Sequence, residues 1–265
     1  SVGGLILSNS GAVTANYWLS EIYDEEIAEA HRNADIHIHD LSMLTGYCAG
    51  WSLKQLIQEG LGGISGKITS APAAHLSVLC NQMVNFLGIM QNEWAGAQAF
   101  SSFDTYLAPF VKVDNLTYRE VKKCIEAFIY GVNTPSRWGT QAPFSNITLD
   151  WTVPADLAEL PAIVGGKEMD FKYKDCKKEM DMVNRAFLEI MIEGDANGRG
   201  FQYPIPTYSI TRDFDWSDTE NNRLLFEMTA KYGTPYFSNY INSDMEPSDV
   251  RSMCCRLRLD LRELR

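Results

Sequence analysis

The sequence predicts an α/β fold, a barrel or an open sheet, and three observations predict it. Short stretches with strand character are separated by long amphipathic ones, the pattern of strands joined by helices. The 265 residues are 45% hydrophobic, enough to bury one large core or two modest ones. No internal repeat or low-complexity tract divides the chain, so one domain over residues 1–265 is the simplest organisation.

Taken in order, residues 16–31 are rich in Trp, Leu, Ile, Ala and Glu and read as a helix. Residues 35–41 (DIHIHDL) alternate with period two and read as a strand. A short helix over 52–59 is closed by Gly60, Gly62 and Gly63. From 70 to 90, Leu76, Leu79, Cys80, Met83, Val84 and Leu87 form one apolar stripe of a long helix. Helical character continues to about 110, and Thr117 is placed to cap a further helix over 118–130. Strands follow at 145–152 and 201–211, with a Pro-rich connection and a helix over 171–193 between them. The last clear helix is 218–232, and residues 255–261 alternate like a strand.

The net charge of −11 argues against a broad nucleic-acid surface, which needs clustered Lys and Arg. One nucleotide could still sit on helix N-termini, which leave little trace in net charge. Cysteines at 48, 80, 124, 176, 254 and 255 have no framework spacing and no CxxC pair, which reads as reduced thiols in a cytoplasmic protein. No uncharged apolar run reaches the length of a membrane span. Both ends read as cut, so a fragment is expected.

Two constellations could carry chemistry. His37 and His39 would face one way on a strand and could share a metal, as in metal-dependent hydrolases. The remaining histidines are His31 and His75, so later ligands would have to be carboxylates, and a hydrogen-bonded pair is the plainer reading. Cys48 lies among small residues, where a cysteine is usually a buried hydrophobe. Cys254-Cys255 stands between a polar loop and the alternating end of the chain, as a thiol-bearing loop tip would.

Several segments then match one family in order. They are residues 35–41 with 46–53 (GYCAGWSL), 82–88 (QMVNFLG), 91–110 (QNEWAGAQAFSSFDTYLAPF), 133–146 (NTPSRWGTQAPFSN), 203–208 (YPIPTY) and 253–257 (MCCRL). The chain resembles the catalytic domain of the anaerobic, glycyl-radical ribonucleoside-triphosphate reductases over nearly its whole length.

That resemblance implies the front part of a ten-stranded α/β barrel ending at a finger loop. It implies a thiyl radical at Cys255, which abstracts the ribose 3′ hydrogen, and a proton and electron donor at Cys48. His39 and Asn133 are expected to contact the substrate. The glycyl radical, installed by an iron–sulfur, S-adenosylmethionine-dependent activating enzyme, and a zinc site are expected in a C-terminal region outside this chain. An N-terminal regulatory domain is likewise expected outside it, and no metal is expected on these residues. The implied partners are a ribonucleoside triphosphate, effector nucleotides (dNTP or ATP) and a second copy of the chain, with no nucleic acid or membrane. An acyl-transferring, formate-lyase-like glycyl-radical enzyme using Cys254 and Cys255 remains the nearest alternative.

Overall fold

The computed structural model describes residues 1–43, 45–63, 65–136, 141–245, 250–252 and 258–260. An uncharged helix, α1 (Val2–Tyr17), runs through a π-helical turn (Trp18–Ile22) into α2 (Glu25–Arg32). The helix expected at 16–31 is therefore interrupted at Tyr23 and Asp24, where Asp24 takes the extended backbone of an N-cap position.

The strand expected at 35–41 does not form. These residues make turns, with Asp40 at a left-handed φ of 53°, and none of them is buried. Alternation stabilises a strand only where one face is covered and an edge is paired, and this segment has neither among the described residues. The first strand, β1 (Ala49–Trp51), begins one residue after Cys48.

Ser52 caps α3 (Leu53–Glu59), accepting the Gln55 N–H at 3.1 Å. Gly60 then turns the chain at φ 75°, where a Cβ would collide with the Ser70 carbonyl. The next helix, α4 (Leu76–Met90), starts later than position 70 because Pro72 and its neighbours stay extended. Sequence periodicity carried the helical reading straight on to about 110. The structure instead inserts β2 (Gln98–Phe100) before α5 (Phe103–Val113), with Ser102 in the left-handed region at the junction.

A capping box between Thr117 and Glu120 starts α6 (Tyr118–Asn133), as its sequence predicts. After it come β3 (Ser145–Leu149), the short α7 (Ala155–Ala158) and a hairpin of β4 (Pro161–Val164) with β5 (Lys167–Lys172). The hairpin occupies part of what read as connection and helix. Next are α8 (Lys177–Glu193), β6 (Ile205–Ile210), α9 (Glu220–Tyr232) and β7 (Tyr236–Asn239). Two further strands, β8 (Val250–Ser252) and β9 (Arg258–Asp260), pair antiparallel.

The main sheet has the order β1-β2-β3-β6-β7, every pairing parallel. Helices cross between successive strands, which is the winding of the front part of an α/β barrel. One face presents Phe100, Ile147, Leu149, Tyr208 and Ile210 to a core shared with α3 to α6, α8 and α9. By strand alternation the register gives the other face Gly50, Ala99, Asn146, Thr148, Ile205, Thr207, Ser209, Tyr236 and Ser238. Parallel sheets packed on both sides are hydrophobic throughout, so a face that is mostly small and polar marks a side built for something other than core packing.

Candidate active site around Cys48

Cys48 is seated by the stretch leading into β2. The Gly46 carbonyl accepts the Ala95 N–H at 3.0 Å, Tyr47 accepts from Gly96, and Ala49 donates to the Ala97 carbonyl at 3.0 Å. This ladder extends the β1–β2 pairing backwards past Cys48. The Ala97 N–H donates to Cys48 Sγ at 3.3 Å, and the half-buried sulfur rests over Gly96. Trp51 Nε1 donates to Gln98 Oε1 at 2.5 Å and its ring meets Trp94 edge-on, which stiffens the same corner.

The other expected residues approach this edge through intermediaries. His39 lies edge-on to the Tyr47 ring at 5.8 Å between centroids, so Tyr47 links it to Cys48. Its Nδ1 is 3.3 Å from His37 Nε2, and its other nitrogen is 3.7 Å from Asp40. The two imidazoles thus bond each other, and no group of three His, Cys, Asp or Glu among the described residues is arranged to hold a metal.

Asn133, at the end of α6, donates to the carbonyls of Ile129 (2.7 Å) and Tyr203 (2.6 Å). Its own oxygen accepts from Gln202 (3.2 Å) and Tyr203 (3.1 Å). It anchors the entry to β6, and the Tyr203 ring packs on Phe144, whose carbonyl accepts the Gln98 N–H at 2.9 Å. Cys254 and Cys255 lie outside the described residues.

At the opposite ends of the strands is a polar cluster that sequence reading missed. Asp104 accepts N–H groups from Thr105 (3.1 Å), Asp150 (2.8 Å), Trp151 (2.9 Å) and the Asn184 side chain (2.9 Å). Asn184 in turn accepts the Tyr208 hydroxyl at 2.9 Å. Burial raises the Asp104 carboxyl against the pull of these donors. Burial first, and the Asp104 charge second, carry Asp150 up to about 8. Asp150 borders a cavity of about 480 Å³ with Thr152, Ser209, Arg212 and Tyr240. Such a position, beyond the carboxyl ends of parallel strands, is where α/β proteins commonly bind ligands. An aspartate inside the apolar run 103–110 was the available signal.

The sequence profile of the anaerobic ribonucleoside-triphosphate reductases matches residues 1–265. The chain belongs to that family. Its α/β framework with a parallel sheet is the one that its motifs implied.

Solved structures agree on the fold. The anaerobic ribonucleotide reductase from Thermotoga maritima in complex with dATP and CTP is 21% identical, with a TM-score of 0.68 over 92% of this chain and 43% of that one. The same organism's enzyme with citrate in the active site gives 22% identity and a TM-score of 0.65, covering 89% of this chain and 45% of the other. Its form with dATP bound in the specificity site gives 21% and 0.63, over 92% and 42%. The chain therefore spans less than half the length of these structures. No curated protein matches it. No helix among the described residues is long and apolar enough to cross a membrane.

Proposed function

We propose that this chain is the front part of the catalytic barrel of a protein that reduces ribonucleoside triphosphates to deoxyribonucleoside triphosphates without oxygen. The observation that carries the reading is the seating of Cys48 at the first strand of a sequentially wound parallel sheet, within a chain that belongs to this family. The remaining strands of the ten-stranded barrel, the zinc site and any regulatory domain belong to the rest of the protein. A glycyl radical there supplies the unpaired electron. The activating enzyme and a second copy of the chain are the proposed protein partners, and the cytoplasm the proposed compartment.

In this reading Cys255 abstracts the hydrogen from ribose C3′. Cys48 gives its proton to the departing 2′-hydroxyl, which leaves as water, and contributes reducing equivalents that an external reductant restores. General-acid help of this kind needs the sulfur held within hydrogen-bond reach of the leaving oxygen. The polar sheet face suits a ribose better than an apolar lining would, and His39 and Asn133 are the proposed substrate contacts. Relatives solved with dATP and CTP support nucleotides as substrate and effector. An acyl transfer by Cys254 and Cys255 alone gives Cys48 no part.

The test is Cys48→Ser in the full-length protein, activated and assayed anaerobically. Deoxynucleotide formation is expected to fall by roughly a hundredfold or more while the protein stays folded. Near-normal turnover in that variant would remove the reading.

A further inference from the structure

We propose that Gly96 is a positioning residue for Cys48, its missing side chain being the socket that fixes the thiol sulfur. The inference rests on the reading of Cys48 as proton and electron donor and adds the residue that sets where the donor stands. A Cβ at position 96 would lie 2.6 Å from Cys48 Sγ and 2.8 Å from the Tyr47 carbonyl oxygen. Non-bonded carbon and sulfur settle at roughly 3.5–4 Å, so the sulfur occupies the space a side chain would fill.

Backbone conformation does not explain the glycine. Eight glycines of the described residues have positive φ, and Gly96 is not one of them. Nor is this corner uniformly crowded, because a Cβ on Gly50, two residues beyond Cys48, meets nothing within 4 Å. What position 96 requires is the absence of a side chain facing the thiol and the Tyr47 carbonyl beside it.

The next residue completes the socket. The Ala97 N–H reaches Sγ at 3.3 Å and engages sulfur lone-pair density, which holds the sulfur against the stretch leading into β2. A proton donor placed to within about half an ångström is what acid catalysis at one leaving oxygen demands. Gly96 and Ala97 together supply that placement from the stretch leading into β2, which local sequence around Cys48 does not reveal.

The experiment is iodoacetamide labelling of the full-length protein, with Cys48 and Cys124 read separately by peptide mass spectrometry. Cys124, half-buried on α6, is the internal reference. In Gly96→Ala the added methyl pushes Sγ off β2 and away from the Ala97 N–H. Labelling of Cys48 relative to Cys124 is expected to rise at least about fivefold, with an unchanged circular dichroism spectrum. A relative rate within about twofold of the parent protein, or slower, overturns the proposal.

If Gly96→Ala does not fold, Cys48→Ala/Gly96→Ala decides. Recovery of folding when the sulfur is removed shows that sulfur and methyl compete for one space. Failure of both variants assigns the glycine to the Tyr47 carbonyl instead and overturns the socket. Neither arm depends on deoxynucleotide formation, so failure of the reductase reading and failure of the socket are separate results.

Discussion

Asp104 Oδ1 accepts the backbone N–H of Asp150 at 2.8 Å, which locks two buried carboxyls side by side at the end of β3. Both cannot be charged there at low cost, and burial raises the two carboxyls alike, each with the other as neighbour. Asp150 therefore holds its proton to about pH 8, whereas in the unfolded chain it ionises near 4. A group whose folded pKa is raised contributes stability that is full below the unfolded value and lost as pH rises through the folded one. Asp150→Asn is expected to stabilise the protein at pH 8 relative to pH 4, by roughly 1–3 kcal/mol after allowance for relaxation. Urea unfolding across that range checks it, and parallel curves for the two proteins would count against a neutral Asp150.

Glu189 titrates with the opposite sign. Burial works to raise its pKa, but the Tyr118 hydroxyl at 2.5 Å, Arg185 at 3.0 Å and Lys122 at 3.0 Å outweigh burial and bring it to about 2. Its stabilisation is present above the unfolded value and is lost as pH falls toward 2. Glu189→Gln should cost roughly 1 kcal/mol at pH 7, a figure reduced for solvent screening, and the difference should close by about pH 2–3. A deficit that persists undiminished in acid would mean that lost packing, not charge, is responsible.

Asn133 is the clearest case of a motif residue whose side chain is used by the fold. All four of its contacts are to backbone groups, two as donor and two as acceptor. Asn133→Ala strands these mostly half-buried backbone partners and should destabilise by about 1–2 kcal/mol. Asn133→Asp should do no better, since it keeps the acceptor but turns a carboxylate oxygen on the Ile129 and Tyr203 carbonyls. Equilibrium unfolding of the pair checks this. An unaffected midpoint in Asn133→Ala would return the residue to direct substrate contact alone.

These cases show what the sequence could and could not reveal. The helices α6, α8 and α9 were legible because apolar stripes and caps are local signals, Thr117 with Glu120 above all. The three-residue β2 was not, because Gln98, Ala99 and Phe100 carry no period of their own and are strand only by pairing with β1 and β3. Residues 35–41 failed in reverse, since their alternation has no sheet to join among the described residues. At the site, Cys48 was legible through its family motif. Gly96, 48 positions away, and Asp104 with Asp150, 46 apart, act through tertiary contacts that spacing does not encode. Only the small-residue run at 95–97 hinted that something approaches closely there.

The two adjacent cysteines near the chain end separate the reductase reading from its nearest alternative. They fall outside the described residues, between strands that pair Ser252 with Arg258. Hydrogen abstraction from ribose requires one sulfur at one place, because an S–H bond is close in strength to the C–H it exchanges with and the O–H of serine is far stronger. Cys255→Ser in the activated full-length protein should therefore abolish deoxynucleotide formation, while Cys254→Ser should retain a substantial share of it. Anaerobic turnover of the two variants, with the glycyl radical quantified by electron paramagnetic resonance in each, separates chemistry from activation. A folded, radical-bearing Cys254→Ser protein without turnover would instead require both sulfurs, as paired-cysteine chemistry does, and would move the assignment away from a single thiyl at Cys255.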